Sequence, residues 1–424
     1  MKKLLKFMIA SALALLARAV VHRYHPRIVM VTGSVGKTST KDAVAAVLSA
    51  RFLVRKSEKS FNSEFGVPFT ILGADNPWDD PFAWVSLVKR SLALLVLPNQ
   101  YPNMLVLEVG ADRPGDLARI LRIATPAAVV VTQLPDVPVH VEAYASPEAV
   151  REEEFSPAYA LPAGAPLIIS ADDLYALDAA RRSPARVISY GVAENASVRV
   201  SNIAFSEMEG VVTGMSADVT EEGTSSKISV KGSVGEVQIL PVAAALAVAV
   251  AFDIPRARAI EALEAYEPPP GRGRLLTGKG DSIIIDDSYN SSPVAVEHAL
   301  KALKAFPHAK RRIAVLGDML ELGRYSVTEH ERIARVAGES ADVIVTVGIR
   351  ARAFAAVPKK AEVVQFDNAR AAAVALRDMA ESGDVILVKG SQSVRMERIV
   401  KALLNDREDA VRLVRQEKKW RERA

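Results

Sequence analysis

The chain contains no cysteine. That excludes disulfides, thiolate metal sites and a cysteine nucleophile, and it suits a reducing compartment. A strong charge of one sign is missing too: 54 basic residues face 50 acidic ones, a formal net charge of +4, and the basic ones are scattered apart from residues 412–423. A nucleic-acid-binding surface needs a concentrated basic footprint, so no nucleic-acid partner is expected. The N-terminus starts Met1-Lys2-Lys3 and turns apolar, but its uncharged run, residues 7–17, is eleven long, against the roughly 20 residues that span a bilayer. Arg18, His22, Arg23 and Arg27 follow without a small-residue cleavage site, so a cleaved signal is not expected. Residues 4–21 read as an Ala/Leu-rich helix with two readings, docked against protein or lying at the inner membrane surface.

Apolar material is plentiful, at half of all residues. With 424 residues the chain exceeds the roughly 250–300 at which a single core stops growing, so two or three domains are expected. Apolar runs at 28–31, Met104–Glu108, 128–132 and 167–170 alternate with helical stretches, and each run closes on a polar turn. That pattern predicts a parallel, doubly wound sheet. Residues 196–240 change to short alternating segments with glycine and charged turns, an antiparallel region attached to the first domain. Buried helices are expected over 241–251 and 255–265. Pro268-Pro269-Pro270-Gly271-Arg272-Gly273-Arg274 is a stiff break and is taken as the domain boundary. Strand and helix signals then alternate again from residue 283, without a Gly-x-Gly-x-x-Gly. The expected fold class is α/β. An apolar helix spans 1–25, a central P-loop ATPase-like parallel-sheet domain spans 26–270, and a Rossmann-like C-terminal domain spans 271–424. Its tail from Asp406 reads as a charged, solvated helix.

The most informative segment is Gly33-Ser34-Val35-Gly36-Lys37-Thr38-Ser39, between the apolar run at 28–31 and a helix-like stretch at 41–48. Glycines let backbone N–H groups turn onto phosphates, the helix N-terminus adds its dipole, and Lys37 supplies a point charge. Thr38 would hold Mg²⁺. The Gly-x-x-Gly-Lys-Thr spacing is two residues shorter than the commonest phosphate loop.

Other polar groups stand at or beyond the carboxyl ends of expected strands, where open α/β sheets place their sites. Glu108 ends one strand and is suited to completing Mg²⁺ coordination beside Thr38; a surface glutamate is the plain alternative. His140 lies in a proline-rich loop, Glu152-Glu153-Glu154 would ordinarily be a solvated helix face, and Asp286-Asp287-Ser288-Tyr289-Asn290 and Leu387-Val388-Lys389-Gly390-Ser391 each close a strand.

In this order the segments resemble the Mur ligase family of ATP-dependent amide-forming enzymes. Residues 32–39, 62–68, 107–116 and 170–173 carry the likeness in the first part, and 286–293, 315–323 and 387–393 in the second, so it covers about residues 26–405. The resemblance implies ATP and Mg²⁺ as cofactors, a UDP-muramoyl-peptide-like acceptor, a D-alanyl-D-alanine-like amine donor, and a monomer in the cytoplasm serving peptidoglycan synthesis. It implies roles as well. Lys37 and the loop hold the phosphates, Thr38 and Glu108 one Mg²⁺, and His140 a second. Arg274 reaches ATP from the domain junction, Asp287 and Asn290 lie by the nucleotide, and Lys389 faces the active site.

The chain also departs from the family. Only 32 residues precede Gly33, so the usual N-terminal UDP-gripping domain is expected to be missing. Ungapped counting puts Glu154 where the family's carbamoylated lysine binds the second Mg²⁺, with Glu152 or Glu153 as register alternatives and loss of that metal as another. The family's Gly-x-His-Asn is Gly235-Glu236-Val237-Gln238 here; Gln238 can replace the asparagine amide near adenine, Val237 cannot replace the histidine, and Gln392 stands where arginine is common. The competing expectations are a Mur-like ligase with another substrate and a nucleotide-binding scaffold without turnover.

Overall fold

The computed structural model describes residues 2–58, 60–77, 80–356, 361–417 and 420. Helix α1 (Lys2–Tyr24) leads into strand β1 (Arg27–Thr32), and the glycine loop turns the chain into α2 (Lys37–Ser49). Next come β2 (Val54–Lys56), α3 (Gly66–Leu72), α4 (Pro81–Val96) and β3 (Met104–Glu108). The alternation runs on through α5 (Asp116–Leu121), β4 (Ala128–Val131), α6 (Pro147–Tyr159), β5 (Pro166–Ser170), α7 (Leu174–Ala180) and β6 (Arg186–Gly191). Three longer strands follow, β7 (Val198–Met208), β8 (Val211–Glu221) and β9 (Thr224–Lys231), then helices α8 (Leu240–Ala251) and α9 (Arg256–Glu264).

All nine strands form one sheet in the order β2-β3-β1-β4-β5-β6-β7-β8-β9. It is parallel as far as β7 and antiparallel from β7 to β9. The region expected to be antiparallel is thus an extension of the same sheet. Capping residues fix the helix starts: Asp80 accepts from Phe82 and Ala83 N–H groups ahead of α4, and Ser146 accepts from Ala149 N–H ahead of α6, each with proline next. A capped start with proline at the first helical position satisfies donors that would otherwise be orphaned.

The second sheet is built from β10 (Arg274–Thr277), β11 (Ile283–Asp287), β12 (Arg311–Gly317), β13 (Val343–Val347), β14 (Glu362–Phe366) and β15 (Asp384–Lys389), with α10 (Pro293–Ala305) after β11. Its order is β10-β11-β15-β12-β13-β14, and only the β10–β11 pair is antiparallel. One apolar core runs from beneath α2 and α8 across to Leu300 of α10 and Leu316 of β12, so it is continuous between the two sheets. A second core on the opposite face of the first sheet takes in α1, α3, α4 and α6. The carboxyl ends of β1, β3 and β4 therefore open at the edge where the second sheet leans in.

The tail departs from its expected form as a solvated helix. Residues Glu408–Arg412 make one short 3₁₀ turn, after which Leu413, Val414 and Arg415 are buried; residues 418, 419 and 421–424 lie outside the described ones. The cause is a buried acid: Glu397 receives Arg395 at 2.5 Å and Arg415 at 3.0 Å. Arg415 also donates to the carbonyls of Ser288 and Tyr289. Removing one partner of a buried ion pair is strongly destabilising, so Arg415→Ala is expected to cost about 3 kcal/mol of stability. Chemical denaturation of the two proteins side by side measures it.

Candidate active site

The loop owes its shape to two glycines. Gly33 has φ 114° and Gly36 φ 89°, the left-handed region that favours glycine. A Cβ on Gly33 would collide with Thr132 at the end of β4, and Ser34 N–H donates to Gln133 carbonyl at 3.0 Å. The short loop is thus strapped to the neighbouring strand, and α2 begins at Lys37 itself.

The Lys37 ammonium donates to the Gly33 carbonyl and lies 3.6 Å from Glu154 Oε1. Glu154 Oε2 accepts from Thr32 Oγ1 at 2.8 Å and Gly33 N–H at 3.2 Å, and the residue is buried. Its two neighbours do other work. Glu153 accepts from Leu117 N–H at 3.0 Å, while Glu152 takes Arg182 and Tyr175. Successive positions on a helix turn by about 100°, so one of three consecutive glutamates faces the loop, and it is Glu154.

Thr38 Oγ1 lies 3.3 Å from Glu108 Oε1 and 3.2 Å from the Ser60 hydroxyl. Glu108 is buried at the end of β3, and its Oε2 is a buried oxygen without a hydrogen-bond partner among the described residues. Burial raises its pKa, opposed by the charges of Lys41, Lys37 and Arg272.

The arginine that reaches the loop in this structure is Arg272, whereas Arg274 is the one expected at ATP. Arg272 donates to Thr38 Oγ1 at 3.2 Å and stacks 4.0 Å above the Tyr289 ring. Arg274 instead begins β10 and pairs with Glu267 at 3.1 Å. Gly271 and Gly273, at φ 69° and 65°, bend the chain on both sides of Arg272 and turn it inward.

On the second sheet Lys389 is buried, 2.7 Å from Asp287 Oδ2 and 3.0 Å from the Asn290 carbonyl. Burial holds its pKa below the ordinary lysine value against the pull of Asp287. Asn290 Oδ1 accepts from Gln392 N–H. Gln238 sits in a 3₁₀ turn before α8 and is buried; with Val35, Arg272, Asp287, His298 and Lys389 it lines a small cavity of about 60 Å³. A larger cleft of about 440 Å³ adjoins it, walled by Gly36, Gln133, Asp136, Tyr190, Val237 and His298.

His140 is held apart from this cavity at φ 68°, between Glu321 at 3.0 Å and Asp112 at 3.4 Å. Burial alone would lower its pKa, but Glu321 and Asp112 overcome that and raise it. Glu321 belongs to the segment after β12, so the pair joins the two sheets. Sequence reasoning gave no role to Arg272, Tyr289 or His298. The last has a neutralising burial and a 3.2 Å contact to Gln133 Oε1, and nothing local in the sequence marks it.

A glycine loop on a strand-to-helix turn, with a second α/β sheet bringing cations to it, defines a nucleotide-dependent enzyme whose two halves share one site. Residues 31–249 match the Mur ligase middle domain, and residues 271–392 match the Mur ligase glutamate ligase domain. The chain belongs to the Mur ligase family, the ATP-dependent amide-forming ligases. It is 30% identical to UDP-N-acetylmuramoyl-tripeptide--D-alanyl-D-alanine ligase of Mycobacterium tuberculosis, over 94% of this chain and 77% of the relative. The enzyme of the same name from Bacillus subtilis is 27% identical, over 93% and 79%. Among solved structures, the MurF ligase of Thermotoga maritima in complex with ADP superposes with a TM-score of 0.77 at 25% identity, covering 95% of this chain and 84% of that one. Mycobacterium tuberculosis folylpolyglutamate synthase complexed with ADP shares the fold, with a TM-score of 0.65 at 15% identity over 92% and 94%.

Proposed function

We propose that the chain joins D-alanyl-D-alanine to UDP-N-acetylmuramoyl-tripeptide, the substrates its relatives are named for, as a cytoplasmic, monomeric enzyme of peptidoglycan precursor synthesis. The observation that carries the reading is convergence from two sheets: Arg272 and Lys389 line the cavity that opens at Val35 and Gly36 of the loop. A tripeptide carboxylate oxygen attacks the γ-phosphorus, and the bond from that phosphorus to the β–γ bridging oxygen breaks, releasing ADP and leaving an acyl phosphate. The dipeptide amine then attacks the acyl carbon, phosphate leaves with the former carboxylate oxygen, and the amine proton passes to solvent. Lys37, Arg272 and the loop N–H groups offset charge spreading over the transferred phosphoryl group. Asp287 and Asn290 border the nucleotide, Gln238 its base, and Lys389 faces the reacting groups. With domains over 26–270 and 271–424 the reaction would take place at their junction, where closure would exclude water.

Mg²⁺ fits beside Thr38 and Glu108, because Glu108 Oε2 is buried without a partner and Mg²⁺ favours few carboxylates with waters and phosphate oxygens. Bound there it would supply positive charge to the β- and γ-phosphates. A second ion fits less well. His140 is held between the carboxylates of Glu321 and Asp112, which raise its pKa against the effect of burial, so an ion there would have to displace a proton. Among the described residues no group of three or more His, Asp or Glu is gathered to hold an ion.

The test is phosphate release from ATP and Mg²⁺ by purified protein, with UDP-muramoyl-tripeptide present and D-alanyl-D-alanine added or omitted. Release that needs both, with a product mass equal to their sum less water, is the expected result. ATP binding without release under any of these conditions would instead favour another acceptor or a scaffold.

A further inference from the structure

Helices α1 and α4 both bury one face in the same core against the first sheet: Ala10, Leu13, Ala17 and Val20 from α1, Leu87 and Leu94 from α4. Their opposite faces therefore form one outer surface, and it is not polar. On α1, Phe7, Met8 and Leu15 are exposed, Leu15 by 69%. On α4, Phe82, Val85, Leu92 and Val96 follow one another at helical spacing and are exposed by 49% to 85%. Scattered exposed apolar residues are ordinary, but a contiguous set across two packed helices marks an interaction surface.

Charge identifies the occupant. Neither helix contains an aspartate or glutamate, whereas α1 carries Lys6, Arg18 and Arg23 and α4 carries Lys89 and Arg90. Lys89 falls within the apolar stripe and Arg90 beside it, both exposed. Asp80 caps the start of α4, ahead of the stripe. An apolar face on two helices that carry cations and no anions of their own is the complement of an anionic lipid surface. Residues Lys6–Tyr24 are apolar enough to enter a bilayer, with a mean hydropathy of 1.3 and 22% of the segment buried. In this fold the inner face of that helix packs in the core, which leaves only its outer face for lipid.

We propose that the outer face of α1 and α4 docks on membrane lipid with anionic headgroups. The surface covers one side of the sheet, whereas the phosphate loop opens at the strands' carboxyl edge, so docking leaves the site accessible. The sequence left α1 two readings, docked on protein or at the membrane surface; its inner face is docked in the core, and α4 extends its outer face.

Co-sedimentation of the purified full chain with vesicles of phosphatidylcholine alone, or mixed with phosphatidylglycerol, tests this. Binding to the mixed vesicles that weakens with added salt is expected. Each basic residue near an anionic surface contributes about a five-fold factor, so Lys89→Gln with Arg90→Gln is expected to lower partitioning about twenty-five-fold. Leu92→Glu should reduce it further. Because all three positions lie on the exposed side of α4, ADP affinity measured in parallel reports that the fold is intact. Equal binding to both vesicle types, no binding, or an unaffected double variant would overturn the proposal. So would a dimer in solution that Leu92→Glu converts to monomer, because a second copy would then occupy the face.

Discussion

Lys37→Met is expected to lower kcat/KM for ATP-dependent phosphate release by about 10³ or more, the scale of removing a cation from a phosphoryl-transfer site. Lys37 is the first residue of α2 and its ammonium is folded back on the Gly33 carbonyl, 3.6 Å from Glu154 Oε1, so its charge is held at the loop itself. Methionine keeps the stem and loses the charge. Lys37→Arg should not recover the rate, since a planar fork is too broad for a slot that Glu154 and Gly33 already line. Steady-state phosphate release and ADP titration separate the effects: turnover should fall far more than ADP affinity, because the lost interaction is strongest while charge is spreading. Equal losses in both would show Lys37 to be a ground-state anchor only.

The second large effect is expected at Glu154. Glu154→Ala removes the carboxylate opposite Lys37 and leaves Thr32 Oγ1 and Gly33 N–H without that acceptor. A loss of 10²-fold to about 10³-fold in kcat is expected. The informative variant is Glu154→Lys. A carbamoylated lysine is a carboxylate on a long stem, so added bicarbonate should restore activity to Glu154→Lys but not to Glu154→Ala. Restoration would show that a negative oxygen pair is what the position supplies. A Glu154→Ala enzyme with unchanged rate and unchanged Mg²⁺ dependence would show that Glu154 only braces the loop.

How much of this was legible in the sequence depended on the kind of signal. Buried parallel strands are nearly all apolar, and β1, β3, β4 and β5 stood out within a residue or so. The short edge strands β2, β10 and β14 did not, because half-exposed residues such as Val54, Arg55 and Lys56 carry no apolar run. The site followed the same rule. Lys37, Thr38, Glu108, Asp287 and Lys389 sit at strand ends or on the loop, where position in the pattern implies position in space. Arg272 and Arg274 are separated by one glycine, and only the backbone at Gly271 and Gly273 decides which of them turns inward. Arg415 was read as solvated because the acid that buries it, Glu397, is distant in the pattern of charges and adjacent only in the fold.

That buried arginine also sets a timetable. Arg415 grips the carbonyls of Ser288 and Tyr289, Tyr289 supports Arg272, and Arg272 touches Thr38. The loop near the start of the chain is thus steadied by a residue near its end. During synthesis the strands of both sheets are made before this clasp is, so the phosphate loop gains its last support only once Arg415 has been added.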